Sequence, residues 1–217
     1  MKNRVLIACE FSGIVREAFK KQGWDAWSCD ILPTEIEGQH IQDDVLKHLD
    51  DGWDMMIAHP PCTYLCVSGA GWYYDPKDKH LPIEKRRPHP KYPNRRQDQK
   101  DAITFFMSLI DAPIPKIAVE NPIGVMSKTY RKPDQIIQPY QFGEEASKAT
   151  CLWLKGLPKL IPTKIVSKGE FYYPKSGATR RPKWFADSAY LPKEERQKAR
   201  SKTFKGIADA MAEQWGI

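Results

Sequence analysis

Three short stretches carry residue types capable of covalent and acid–base chemistry: Glu10-Phe11-Ser12-Gly13, His59-Pro60-Pro61-Cys62 and Glu120-Asn121-Pro122. Cys62 follows two prolines whose fixed φ angles stiffen the chain. Its thiol is a candidate nucleophile, provided an electropositive setting or a coupled acceptor takes its proton. The competing use of a lone cysteine is packing as a small buried apolar residue. Glu120 offers a carboxyl that, with its pKa raised by burial, protonates or grips a ring nitrogen. Read alone, Glu-Asn-Pro is a turn. In the first stretch Gly13 permits close approach of a ligand to the backbone, and the helix that follows offers free N–H groups. The G-x-G-x-x-G spacing of a dinucleotide site is missing. Asp30 suits a ribose diol, since a carboxylate accepts from both hydroxyls. Gly13 and Asp30 are each ordinary turn residues; together they point to a nucleoside-containing cofactor. His59, Cys62 and Cys66 also admit a metal reading, but no second ligand pair with zinc spacing follows, so no metal is expected.

Such groups need strand ends to hold them. The nearly continuous apolar run 4–9, the short runs 26–29 and 55–58, and the run 117–119 read as buried strands. Helical spacing covers 14–21, stopped by Gly23, and returns over 98–110 and 206–215. A strand candidate at 150–154 is bounded by Gly156 and Pro158. This order predicts an α/β fold with a mostly parallel sheet, helices on both faces, and a ligand site at the strands' carboxyl ends. Residues 69–97, rich in Trp, Tyr, Pro, Lys and Arg without a period, read as a long functional loop.

With 217 residues, 41% apolar and 28% charged, the chain has the composition of a globular domain. No apolar stretch is long enough to span a membrane, the N-terminus lacks a signal-peptide cleavage pattern, and five scattered cysteines suit a reducing compartment. A cytoplasmic protein that keeps off membranes is expected. The net charge of +7 is uneven: +6 over 77–100 and +10 over 155–205, against −9 elsewhere. Two basic segments on an acidic body fit a polyanion partner, or two solvated loops.

Taken together, the three stretches resemble the DNA (cytosine-5)-methyltransferases, whose core is a Rossmann-like, S-adenosylmethionine-dependent domain. Cys9-Glu10-Phe11-Ser12-Gly13 is similar to the motif that wraps the methionine part of the cofactor. Asp30 is similar to the ribose acid, and Asp44 to the acid near the adenine. Pro61-Cys62 resembles the motif carrying the nucleophile, and Glu120-Asn121 the one contacting the flipped cytosine. Ser201 to Trp215, with Gly206-Ile207-Ala208, is similar to the helix that closes the cofactor pocket. The resemblance also places Pro60, Gly206 and Ile207 at the cofactor. It covers roughly residues 4–155 and the last fifteen. The family's Gln-x-Arg-x-Arg motif is replaced by Ala146-Ser147-Lys148-Ala149-Thr150; Lys148 could stand in for one arginine, whereas Thr150 occupies the other's place. The implied division is a core over 1–157, a short basic target-recognition segment over 158–200, and a C-terminal helix over 201–217.

The resemblance implies that Cys62 adds to carbon 6 of cytosine, Glu120 steadies ring nitrogen 3, and carbon 5 takes the methyl group. The base must leave the duplex, which costs a few kcal/mol, offset by phosphate contacts. Trp72, Arg86, Arg87, Arg95 and Arg96 in the long loop, with Arg180 and Arg181, are the expected contacts to double-stranded DNA. A dimer sharing one duplex would suit the short recognition segment. A compact enzyme of this kind suits a bacteriophage or mobile element. Two other readings stay open: pyrimidine modification in RNA or a nucleotide, or with an altered cofactor; and a catalytically silent nucleic-acid-binding module. The pairing of Cys62 with Glu120 argues against the last.

Overall fold

The apolar runs become the inner strands of one sheet. The computed structural model describes residues 2–174 and 179–216. Seven strands, β1 (Arg4–Ala8), β2 (Asp25–Cys29), β3 (His40–Ile41), β4 (Met55–Ala58), β5 (Lys116–Pro122), β6 (Gln135–Ile137) and β7 (Thr150–Lys155), lie in the order β3-β2-β1-β4-β5-β7-β6. Strands β1 to β5 are parallel; β7 runs antiparallel to both β5 and β6. This is the doubly wound order 3-2-1-4-5-6 with one reversed strand wedged before the last. It is the Rossmann-like α/β fold predicted, a mostly parallel sheet with helices on both faces.

Alternation along the strands explains the two layers. Val5 and Ile7 of β1, with Met55 and Ile57 of β4, pack against α1 (Ile14–Lys21) and α6 (Lys205–Trp215) through Val15, Phe19, Ile207 and Met211. Leu6 and Ala8, with Met56 and Ala58, face α2 (Arg95–Ile110) through Phe106 and Leu109. Because both faces are covered, β1 and β4 read as unbroken apolar runs instead of alternating ones.

Helix α2 begins at Arg95, three residues before the helical spacing becomes visible, so Arg95 and Arg96 belong to a helix and not to the long loop. Beyond α3 (Met126–Thr129) and β7, the basic segment contains a hairpin of β8 (Phe171–Tyr172) and β9 (Arg181–Pro182), then α4 (Lys183–Asp187) and α5 (Lys193–Ser201). The segment leans on the sheet domain: Leu160 is buried in the α1/α6 layer, and Trp184 Nε1 donates to the Ser147 carbonyl at 3.1 Å. No helix among the described residues is long and apolar enough to cross a membrane.

Candidate active site

The carboxyl ends of β1, β4 and β5 are neighbours in the sheet, and this brings the three stretches to one edge. After β1 the chain turns through Cys9 (φ 57°) and Gly13 (φ 74°). Glu10 is buried, and its carboxylate accepts the backbone N–H groups of Val15 (2.7 Å) and Arg16 (3.2 Å) and the Ser12 hydroxyl (3.1 Å). The chain's own acid therefore fills the anion site at the start of α1, where a nucleotide phosphate would otherwise sit. Burial pushes the Glu10 carboxyl up, opposed by nearby His59 and by these hydrogen bonds.

Gly13 serves the chain itself. A Cβ there would meet the Arg16 guanidinium at 2.8 Å and Ile36 Cβ at 3.0 Å, so on that side the missing side chain makes room for packing of the 31–38 loop. Arg16, which the sequence does not single out, is fully buried and donates to Ser28 Oγ (2.9 Å), Thr34 Oγ1 (3.2 Å) and the Ile36 carbonyl (2.5 Å). It ties that loop to α1, and the Glu35 N–H donates to the Phe11 carbonyl. Asp30 at the end of β2 accepts the Leu32 N–H at 2.9 Å, and Asp44 caps a short 3-10 turn by accepting the Leu46 N–H at 3.0 Å. Burial pushes the Asp30 carboxyl up.

At the end of β4, the His59 N–H continues the ladder to the Ala8 carbonyl at 2.9 Å. Its Nδ1 lies 3.1 Å from Glu120 Oε2, and the side chain is almost wholly buried. Glu120 is also largely enclosed: burial raises its pKa, but the bond to His59 and the charge of Lys148 outweigh this and hold it below its ordinary value. Glu120 is therefore an anion here, contrary to the expected carboxyl with a raised pKa. Asn121 lies beside Glu120 on β5. It is buried, and Nδ2 donates to the Pro60 carbonyl at 3.1 Å, clamping the Cys62 loop to β5. Pro60 is likewise buried, with its carbonyl held in this clamp.

Cys62 heads a helical turn: the N–H groups of Leu65 and Cys66 both donate to its carbonyl at 3.0 Å. Its thiol is pushed up by hydrogen bonding to Cys66, then by burial and the Glu120 charge, while Lys148 pulls the other way. Cys66 is lowered to about 5, because its thiolate accepts from Cys62 and from the Ser68 side chain and sits beside backbone N–H groups. All five cysteines are free, and no metal-holding cluster exists among the described residues.

The opening over these groups is narrow. A cavity of about 30 Å³ is lined by Glu10, Phe11, Ser12, His59, Ser201 and Lys202, and a second of about 10 Å³ by His59, Glu120, Lys148, Thr150, Phe204 and Ile207. Each holds about one water, far below the several hundred Å³ of a ligand site. A pocket wide enough for a pyrimidine, which the sequence reading requires, is closed here by residues 201–204, the end of α5 and its link to α6. Lys202 Nζ pairs with Glu35 Oε2 at 2.6 Å, Lys198 lies over the Phe11 ring, and Lys148 Nζ donates to the Arg200 carbonyl at 3.1 Å. Gly206 lets α6 approach the neighbouring chain: a Cβ would meet the Phe142 carbonyl oxygen at 1.9 Å. Ile207 is buried in the core and borders the smaller cavity.

The arginines expected at DNA divide. Arg95 is buried, donates to the Thr63 carbonyl at 2.9 Å and stacks near Tyr64 and Tyr73, bracing the turn after Cys62. Arg86 donates to the Leu81 and Lys79 carbonyls, and Arg87 pairs with Asp78 at 2.8 Å, so both brace the long loop. Of the three only Arg95 is withdrawn from the surface; Arg87 stays exposed beside Asp78, and Arg86 keeps its full charge against neutral carbonyls. Trp72, Arg96, Arg180 and Arg181 stay exposed.

No family model matches the chain, and no curated protein matches it. Among solved structures, a candidate DNA modification methyltransferase encoded within an E. coli prophage aligns with a TM-score of 0.46 and 15% identity, over 88% of this chain and 56% of that chain. The chain thus spans little more than half the length of that neighbour.

Proposed function

We propose that the protein transfers a methyl group from S-adenosylmethionine to carbon 5 of cytosine in DNA, with Cys62 as nucleophile. The observation that carries this reading is the meeting of two stretches at one sheet edge: His59, three residues before Cys62, lines a cavity with Glu120 and Lys148 and bonds Glu120 at 3.1 Å, while Asn121 ties the Pro60 carbonyl to β5. Glu120, an anion with one oxygen on His59, is suited to hold a protonated ring nitrogen 3 through the other. Lys148 is suited to balance charge on the ring.

The residues present fit the methyl donor by chemistry. With Glu10 occupying the α1 terminus, the turn disfavours a phosphate and favours a cationic ligand without one. Asp30 and Asp44 would take its ribose and adenine, and Phe11 its apolar middle. The bound donor would supply a sulfonium methyl; the chain's part is to orient it and keep water out. Domain roles follow the same reading: 1–157 as core, 158–200 as DNA reader and 201–217 as closing helix. Target DNA would meet the exposed Trp72, Arg96, Arg180 and Arg181.

The test is incubation with methyl-labelled S-adenosylmethionine and duplex DNA, RNA or dCTP, followed by mass spectrometry of nucleosides. Label in 5-methyldeoxycytidine from DNA is expected. Label only in RNA or the nucleotide moves the substrate, and none anywhere, with DNA bound, leaves a silent binding module. Donor entry further requires residues 201–204 to swing out. The half-exposed Lys202–Glu35 pair is worth about 1 kcal/mol at most after solvent screening. Lys202→Ala should therefore speed donor association by up to ~5-fold in stopped-flow fluorescence; an unchanged rate would remove this strap as the gate.

A further inference from the structure

We infer that His59 is a catalytic residue, the base that removes the proton from carbon 5 once the methyl group has arrived; this rests on the reading above. His59 projects from the central strand between the β1 turn and Glu120. It lines both cavities, the one beside Glu10, Phe11 and Ser12 and the one beside Glu120, Lys148 and Thr150. One ring nitrogen, Nδ1, is engaged by Glu120. The other, Nε2, is buried and has no hydrogen-bond partner among the described residues. An unpaired buried nitrogen costs about 1–3 kcal/mol, so a ligand atom that meets it is the economical explanation. A neutral imidazole that donates from Nδ1 to Glu120 Oε2 presents its Nε2 lone pair to the site. A carboxylate orienting an imidazole so that its far nitrogen accepts a proton is the arrangement of a general base.

The neighbouring groups are already committed. Glu10 accepts from the start of α1, Lys148 donates to the Arg200 carbonyl, and the Cys62 thiol has Cys66 as its own acceptor. His59 is left with a free lone pair where the donor and base subsites meet. The balance is complete. Cys62 sulfur bonds to carbon 6 as its proton passes to Cys66, and the ring electrons displaced to carbon 5 would form the new bond to the methyl carbon while the donor's S–CH3 bond breaks, its electron pair leaving with the sulfur as a neutral thioether. Nε2 then takes the carbon-5 proton. The C–H electron pair restores the 5,6 double bond and expels the Cys62 thiolate, and the imidazolium loses its proton to water.

The experiment uses the full chain with duplex DNA holding cytosine or 5-fluorocytosine, which has no removable proton at carbon 5. Wild type should give a denaturant-resistant protein–DNA adduct on 5-fluorocytosine with donor, and release tritium from carbon-5-labelled cytosine even without donor. His59→Ala should keep the 5-fluorocytosine adduct and accumulate one on ordinary cytosine as well. It should lose donor-free tritium release by ~10²-fold, with added imidazole restoring part of it. His59→Gln, which retains a donor to Glu120, serves the same readings if the alanine variant melts early. Tritium release within threefold of wild type in either variant, or loss of the 5-fluorocytosine adduct, overturns the assignment. If wild type itself forms no adduct, the cytosine reading fails first and takes this one with it.

Discussion

Cys62→Ala is expected to lower methyl transfer by at least ~10⁴-fold, the scale on which removal of a covalent nucleophile acts, while duplex binding stays within about twofold. Binding should survive because the exposed basic groups, Arg96, Arg180 and Arg181, lie on other elements. The sulfur at 62 is preferred to the one at 66 on grounds of rigidity. Asn121 holds the Pro60 carbonyl, Arg95 holds the Thr63 carbonyl, and two N–H groups hold that of Cys62 itself. The two thiols act as a pair that has given up one proton by neutral pH. The charge rests on Cys66, lowered to about 5 by the hydrogen bond from Cys62 and by Ser68. Above that pH Cys66 is ready to take the Cys62 proton as the sulfur attacks; below it the acceptor is lost and the rate should fall. Iodoacetamide at neutral pH should accordingly label residue 66 before residue 62, as peptide mapping would read. Turnover above 1% of wild type in Cys62→Ala would sink the assignment of the nucleophile.

The parts of this arrangement that rest on period were legible before any coordinates. Residues 5–8, 55–58 and 117–119 are apolar throughout because helices cover both sides of the sheet, and such runs announce their own burial. Strand order then delivered Glu10, Cys62 and Glu120 to one edge. What stayed hidden follows from side-chain reach and from polar helices. α5, Lys-Glu-Glu-Arg-Gln-Lys-Ala-Arg-Ser, has no apolar stripe because it buries no residue, so periodicity cannot mark it. The arginines at 86, 87 and 95 look alike in sequence to those at 96 and 180; only the carbonyls and carboxylates around them separate braces from free charge. His59 was visible as a residue type beside Cys62, but its pairing with Glu120 spans 61 positions, and no local pattern encodes that. A histidine in a strand-end loop three residues before a candidate nucleophile was the available signal.

Arg16 carries the second large expected effect. Its guanidinium is wholly enclosed and bridges α1, β2 and the 31–38 loop through Ser28, Thr34 and the Ile36 carbonyl, with Glu17 as its ionic partner at 3.0 Å. Arg16→Met keeps most of the stem volume and removes the donors. Ser28 keeps His40 and the Ile36 carbonyl keeps the Thr34 hydroxyl, so the cost is that of the lost charge-assisted hydrogen bonds, about 1.5–3 kcal/mol each before those partners compensate, and a loss of about 3 kcal/mol is expected in urea unfolding. The same change frees the loop that begins beside Asp30 and carries Glu35, the partner of Lys202. Donor affinity, followed by calorimetry, should therefore fall by more than ~10-fold, beyond what a global loss of 3 kcal/mol imposes on a chain still folded. Arg16→Lys separates the two consequences. A single ammonium keeps the charge beside Glu17 but cannot span three acceptors set around a planar fork, so stability should recover in part while donor affinity stays low. If lysine restores both, the guanidinium is holding up the core alone, and the 31–38 loop owes its position at the β2 end to something other than Arg16.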